Sequence, residues 1–360
     1  MAVAFHQLEV ADVRRETPDA VSIAFAVPEK LREAYAFEPG QHVTLRMVLD
    51  GVEARRSYSI CTGLDDGELR IAVKKVDGGA FSRFANEALR LGDRIDVMTP
   101  QGRFGLAPDP TAARTYLAIA AGSGITPIMS ILRTVLTREP GSRMILIYGN
   151  RTSQSIIFKS MLEDLKDRFL DRLGIYHVLS REAQEVALLD GRIDGDRIAL
   201  FLRTVVPADR IDAAFLCGPG DLIADSKTAL IRCGVPVDRI HVEYFTTDGV
   251  PGVQRTAVRP PAQDAVEPAA TVRVRLDGSD HVINMFDGET IVEAGLRQGL
   301  EMPYSCRGGM CCTCRARLID GKVAMDQNFS LEPWEMQAGY ILTCQSHPTT
   351  PTVAVDYDEV

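Results

Sequence analysis

Four cysteines toward the end of the chain, Cys306, Cys311, Cys314 and Cys344, form a Cys-x4-Cys-x2-Cys ladder with one distant partner. If the four thiols act together, a short loop and a remote strand must meet around them, which constrains how this part of the chain folds. The spacing is the one by which thiolates hold a [2Fe-2S] cluster, so the chain is expected to carry single electrons. Gly308 and Gly309, inside the loop, let backbone amides turn toward cluster sulfurs. The competing reading is structural zinc. Zinc ribbons pair two close knuckles, however, and here a long arm separates Cys344 from the other three. Cys312 reads as a packing residue, and Cys61, Cys217 and Cys233 are too dispersed for a disulfide framework.

At 360 residues the chain exceeds one ordinary core and suggests two or three domains. A net charge of -9 argues against nucleic acid as a partner, because neutralising phosphates needs surplus Lys and Arg. Residues 269–360 hold 13 acidic and 7 basic residues, a net -6, leaving -3 for the other 268. That acidic end could steer toward a basic acceptor or serve only solubility. No run reaches the roughly 18 apolar residues of a membrane helix, and the start lacks a basic leader with an apolar core. A cytoplasmic protein is expected.

Residues 1–108 show short strand patterns separated by turn signals, at 21–26, 41–47, 53–59, 69–75 and 94–98, which predict an antiparallel β-barrel. From 109 to 246 apolar strands alternate with helical patterns, predicting an α/β domain with a parallel sheet. Residues 247–268 gain Pro and Gly and lose periodicity, which marks a linker. The cysteine ladder lies in the remainder, 269–360.

Within the α/β part, Leu117 to Ala121 runs into Gly122-Ser-Gly124-Ile-Thr126-Pro127, a glycine turn opening a helix. Such a turn lets backbone amides approach a pyrophosphate, although Gly-x-Gly alone is weak. The next strand ends in Tyr148-Gly-Asn150-Arg151-Thr-Ser153, which offers Arg and hydroxyls but no carboxylate, favouring NADPH over NADH. Phe215-Leu-Cys217-Gly218-Pro219 ends another buried strand at the edge where ligands bind; Cys217 either faces a nicotinamide or is a buried strand cysteine. In the barrel, Arg56 and Tyr58 share a strand face beside Ser59, a set suited to a flavin ring and phosphate. Farther on, Val73-Lys74 precedes Gly78-Gly79-Ala80-Phe81-Ser82, where a Ser cap opens a helix suited to a second pyrophosphate.

These stretches, with His241-Val-Glu243-Tyr-Phe245, resemble the ferredoxin-NADP reductase superfamily, in the branch carrying a fused plant-type ferredoxin domain. The resemblance spans essentially the whole chain and implies a β-grasp (α+β) fold for the cluster domain. It implies FAD contacts from Arg56, Tyr58, Ser59, Val73, Lys74, Phe81, Ser82 and Thr126, with Glu243 and Phe245 bordering the flavin. Nucleotide contacts would come from Gly122, Gly124, Arg151, Ser153, Gly218 and Pro219, cluster ligation from the four cysteines, and catalytic positions from Tyr58, Ser59, Cys217 and Glu243. Stretches such as Gly321 to Met325 and Ser330 to Pro333 are similar to reductases serving phenylacetyl-CoA epoxidation, with ketosteroid and aromatic-ring oxygenase reductases as competitors. The implied order is NADPH, FAD, [2Fe-2S] cluster, then a separate di-iron oxygenase. Flavin stands between because nicotinamide gives two electrons and the cluster takes one. No general base or nucleophile is needed, and the six histidines read as structural.

Overall fold

The structure, a computed structural model, describes residues 4–49, 51–245 and 267–359. Nearly all of the expected linker 247–268 therefore lies outside the described residues. The chain divides into two compact units, whose described parts are residues 5–49 and 51–245 in one, and Ala4 with residues 267–359 in the other.

The first unit begins with β1 (Phe5–Thr17), β2 (Ala20–Ala26), β3 (His42–Leu49), β4 (Val52–Ser59), β5 (Leu69–Lys74), α1 (Ala80–Glu87) and β6 (Arg94–Met98). The six strands form one antiparallel sheet in the order β4-β3-β6-β1-β2-β5. An Ile60–Ile71 bridge brings its two edges together, so the sheet curls into the expected barrel around Leu8, Ile23, Leu45, Ile71 and Val97. Alternation sends these apolar side chains to one face; Arg56, the ladder partner of Leu45, shares that face on the edge strand β4 and is nevertheless exposed.

The unit continues with β7 (Thr115–Ala121), α2 (Ile125–Arg138), β8 (Arg143–Asn150), α3 (Lys159–Arg168), β9 (Leu173–Leu179), α4 (Gly195–Thr204), β10 (Ala213–Gly218), α5 (Gly220–Arg232) and β11 (Ile240–Tyr244). The five strands are parallel in the order β11-β10-β7-β8-β9. Tyr116, Ala118 and Ala120 of β7 pack on one face of this sheet, and Leu117 and Ile119 pack on the other. Burial on both faces explains the continuous apolar runs. The chain order reverses between β7 and β10, so the crevice beyond their carboxyl ends is where such sheets bind ligands.

Barrel and sheet are held together. Ser130 of α2 donates to the Thr62 carbonyl at 2.7 Å, Leu64 N–H donates to Thr134 at 3.2 Å, and Arg133 pairs with Asp66 at 2.6 Å. These contacts fix α2, and the glycine turn before it, against the barrel.

The second unit contains β12 (Ala270–Leu276), β13 (Ser279–Met285), α6 (Ile291–Arg297), β14 (Arg315–Asp320), β15 (Val323–Met325), α7 (Pro333–Gln337), β16 (Tyr340–Leu342), β17 (Ser346–Pro348) and β18 (Thr352–Asp356). The mixed sheet β13-β12-β18-β14-β16, with β12 and β18 parallel, carries α6 on a core of Val272, Val274, Ile291 and Leu342, the expected α+β arrangement. A capping box between Thr290 and Glu293 starts α6. A buried ion pair of 2.9 Å between Arg315 and Glu335 ties α7 to the start of β14. Among the described residues of both units, no helix is long and apolar enough to cross a membrane.

Candidate functional site

The barrel contributes the end of β4. Ladder pairing sets Tyr58 opposite Val43 and Ser59 opposite His42. Tyr58 is half-buried, with its ring 5.5 Å from that of Phe81 and tilted by 37°, and burial pushes its phenol well above the usual range. An aromatic face with one side supported and a neutral hydroxyl is thus held at the strand end. Arg56 is exposed, and its guanidinium donates to the Arg55 carbonyl at 2.7 Å. Lys74 lies 3.6 Å from Asp19, and its ammonium stands 3.8 Å from where a Cβ on Gly122 would be. A cation from the barrel therefore faces the glycine turn of the α/β part.

That turn requires its glycines. A Cβ on Gly124 would come 2.2 Å from the Cys217 carbonyl oxygen, so only glycine allows α2 to start this close to β10. Thr126 donates to the Ser123 carbonyl at 3.0 Å, and Tyr148 donates to the Gly122 carbonyl at 2.8 Å, which fixes the turn from both sides. Gly218 ends β10, and Pro219 immediately precedes α5.

Three predicted residues from distant parts of the sequence meet at this edge. Ser59 Oγ donates to Glu243 Oε2 at 3.2 Å, and Cys217 Sγ lies 3.9 Å from the same oxygen. Parallel pairing of β10 and β11 places Cys217 beside Glu243. Burial and then the Glu243 charge push the Cys217 thiol well up, so it remains protonated beside the carboxylate. Phe245 follows, half-buried, with its N–H 3.4 Å from the Gly218 carbonyl.

The cluster loop lies in the second unit. Gly308 and Met310 N–H groups each lie 3.4 Å from Cys306 Sγ, and Gly309 N–H bonds to Cys344. Gln345 reaches Cys344 Sγ at 3.8 Å and the Arg307 carbonyl at 2.9 Å. Left-handed backbone at Arg307, Gly309 and Cys312 turns these amides inward. At Gly309 a Cβ would meet the Gln327 carbonyl at 2.9 Å. Thr343 holds the fourth thiol near the loop, donating to the Cys314 carbonyl through its N–H at 3.1 Å and its hydroxyl at 2.7 Å.

The thiols contact one another in two pairs, Cys306 with Cys311 and Cys314 with Cys344. In each pair the shared hydrogen bond and burial raise one thiol, Cys306 or Cys314, while the bond from Cys314 lowers Cys344. Two pairs of soft sulfurs, ringed by N–H donors that favour thiolate, suit a two-iron cluster better than one zinc ion. Cys312 stands apart, its thiol pushed up to about 12 by burial and hydrogen-bonded to Ser330.

Residues 7–105 match the oxidoreductase FAD-binding domain, residues 118–228 the oxidoreductase NAD-binding domain, and residues 274–349 the 2Fe-2S iron-sulfur cluster binding domain. Over 355 residues, 98% of each chain, the sequence is 48% identical to a subunit of the 1,2-phenylacetyl-CoA epoxidase of Escherichia coli K12. The chain belongs to the flavin and iron-sulfur oxygenase reductases. The reductase is also 34% identical over 353 residues to the ferredoxin reductase component of 3-ketosteroid-9-alpha-monooxygenase from Rhodococcus rhodochrous, covering 97% of this chain and 96% of that one. Among solved structures, phthalate dioxygenase reductase has the same fold, with a TM-score of 0.58, 23% identity and 98% of each chain covered. The reductase is therefore an NAD(P)H-dependent oxidoreductase using FAD and a [2Fe-2S] cluster, and the zinc alternative falls.

Some expectations change with the fold. Ser82 does not cap α1; Gly79 holds that position, and the Ser82 hydroxyl takes the Val76 N–H and donates to the Gly79 carbonyl, both at 3.2 Å. The Val73 side chain is buried in the barrel core, and its carbonyl accepts from Asn86 at 3.1 Å. The end of β8 offers no carboxylate of its own, yet Glu182, just past β9, accepts from Ser153 N–H at 2.7 Å and Ser153 Oγ at 2.9 Å. Those two bonds hold the Glu182 carboxyl below its usual range. Arg181 also escapes sequence reasoning; its N–H donates to the Arg151 carbonyl at 2.8 Å, so two arginines end adjacent strands. The local signal is Ser180-Arg181-Glu182 closing an apolar strand, but its proximity to Arg151 depends on β8–β9 pairing.

Proposed function

We propose that this reductase draws hydride from NADPH and delivers single electrons to the di-iron oxygenase component of a phenylacetyl-CoA 1,2-epoxidase, in the cytoplasm. Bound FAD supplies the conversion between two-electron and one-electron transfer. Tyr58 supports the flavin ring, Arg56 and Lys74 balance phosphate charge with the turn at Phe81-Ser82, and Thr126 reaches the ring from the nucleotide side. Ser59 and Cys217 hold the Glu243 carboxylate at the junction, where it orients the incoming nicotinamide and keeps water ordered. The carboxylate takes no proton from substrate in this scheme, because hydride transfer requires no base.

Gly122, Gly124, Gly218 and Pro219 shape the pyrophosphate crevice, and Phe245 closes its inner side. Arg151, Arg181 and Ser153 form the 2'-phosphate site, with Glu182 competing for Ser153. Cys306, Cys311, Cys314 and Cys344 ligate the cluster. The working boundaries are 1–108 for flavin, 109–246 for nucleotide, 247–268 for the linker and 269–360 for the cluster.

The observation that carries the choice of acceptor is the end-to-end likeness to the epoxidase component, at higher identity than to the ketosteroid reductase component. The test is coupled turnover with purified oxygenase components. Epoxide formation from phenylacetyl-CoA with the epoxidase components, and little product with a ketosteroid hydroxylase, supports the reading. The reverse pattern assigns the chain to another oxygenase.

A further inference from the structure

Asn150 is the last residue of β8 and is only 8% exposed, yet neither its Oδ1 nor its Nδ2 has a hydrogen-bond partner. Its backbone is satisfied, since its carbonyl accepts from Ser180 N–H at 3.0 Å. The side chain lies close enough to the Tyr148 phenol to oppose the rise that burial imposes on it, but outside hydrogen-bond geometry. A buried amide with both ends unpaired is costly, and at the end of a strand packed on both faces a leucine, similar in branching, would avoid that cost. An asparagine retained here is explained by a partner that arrives with a ligand.

Position and chemistry narrow that ligand. Tyr148 and Asn150, two residues apart on one strand, point to the same face, and Tyr148 holds the Gly122 carbonyl at 2.8 Å. Asn150 therefore lies at the carboxyl edge of the sheet, beside the glycine turn suited to a pyrophosphate. The carboxamide needs an acceptor for Nδ2 and a donor for Oδ1. Phosphate oxygens offer only acceptors, whereas a ribose hydroxyl offers both. We infer that Asn150 is a positioning residue for the nicotinamide dinucleotide, binding a ribose hydroxyl next to the pyrophosphate through both ends of its carboxamide.

The inference rests on the reading that this sheet takes NAD(P)H, and its test needs no oxygenase. NADP+ is titrated into the intact oxidised reductase, containing flavin and cluster, and followed by the change in flavin absorbance. Binding by the parent protein upholds the underlying reading, and the variants then test Asn150 alone. Asn150→Leu is expected to raise the NADP+ Kd by about tenfold, as loss of one good hydrogen-bonded pair implies. The KM for NADPH should rise with kcat little changed, and the thermal midpoint should not fall. Asn150→Ser, whose hydroxyl is too short to make both bonds, should raise the Kd by about fivefold and guards against misfolding of the leucine variant. A Kd within about twofold of the parent in either folded variant overturns the inference. So does a drop in thermal midpoint with unchanged affinity, which would make the amide purely structural.

Discussion

The cluster loop and the flavin–nucleotide junction are assembled by opposite means. Three of the four thiols proposed as cluster ligands fall within nine consecutive residues, Cys306 to Cys314, and Cys344 arrives from elsewhere. At the junction, Ser59 meets Glu243 across 184 positions of sequence, with Cys217 from a third strand. The loop fixes its geometry by local backbone turns and N–H···S bonds, and the junction fixes its geometry by the registers of two sheets and the packing of α2. A locally built site should fail as a unit while leaving its neighbour intact, whereas a site built across sheets should degrade gradually and share its fate with the fold.

The largest expected effect tests that independence. Cys306→Ser should reduce electron delivery to an external acceptor by more than ~100-fold, because the cluster would lose one of its proposed ligands. Flavin reduction by NADPH, followed by stopped-flow bleaching, should stay near its original rate; joint loss would break the contrast. Next is Gly124→Ala, whose methyl would be driven into the Cys217 carbonyl. A loss of several kcal/mol is expected, on the order of 3, measured by urea unfolding of the flavin–nucleotide unit, with the cluster signal retained. A stable Gly124→Ala protein would show that α2 and β10 can move apart.

Smaller effects sharpen the junction. Ser59→Ala should slow hydride transfer by about tenfold by loosening Glu243, with flavin content unchanged. Replacing Arg151 with Gln should weaken NADPH more than NADH by a further fraction of that, about fivefold, read from the two KM values. Equal losses would remove Arg151 from the 2'-phosphate site. The smallest effect is on pH. Burial raises the Cys61 thiol, and burial with the Glu243 charge raises that of Cys217. Above the ordinary thiol value of 9.0 the unfolded chain releases these protons first, so stability should fall as pH rises past it. Chemical unfolding at pH 8 and pH 10 checks the sign.

The same contrast explains what can be read from sequence. The cysteine ladder is legible because spacing within a loop determines proximity, and the apolar runs of β7 and β10 are legible because burial on both faces leaves a continuous pattern. The Ser59–Glu243–Cys217 meeting is approached only through family resemblance, since no local pattern records strand order. Glu182 and Arg181 escape notice because their contacts with Ser153 and Arg151 exist only once β8 and β9 pair. Ser82 looks like a cap because a hydroxyl after two glycines is a common helix start, yet the turn consumes that hydroxyl internally. The unpaired carboxamide of Asn150 is invisible in sequence, where an asparagine before an arginine reads as loop.

An anaerobic titration of the freshly isolated reductase with NADPH, followed by flavin absorbance and electron paramagnetic resonance together, tests the electron path most directly. The account expects the flavin to bleach and the signal of a reduced [2Fe-2S] cluster to appear in the same titration, with no external mediator. A flavin that bleaches while the cluster stays oxidised and magnetically silent, although dithionite can reduce it, would contradict it.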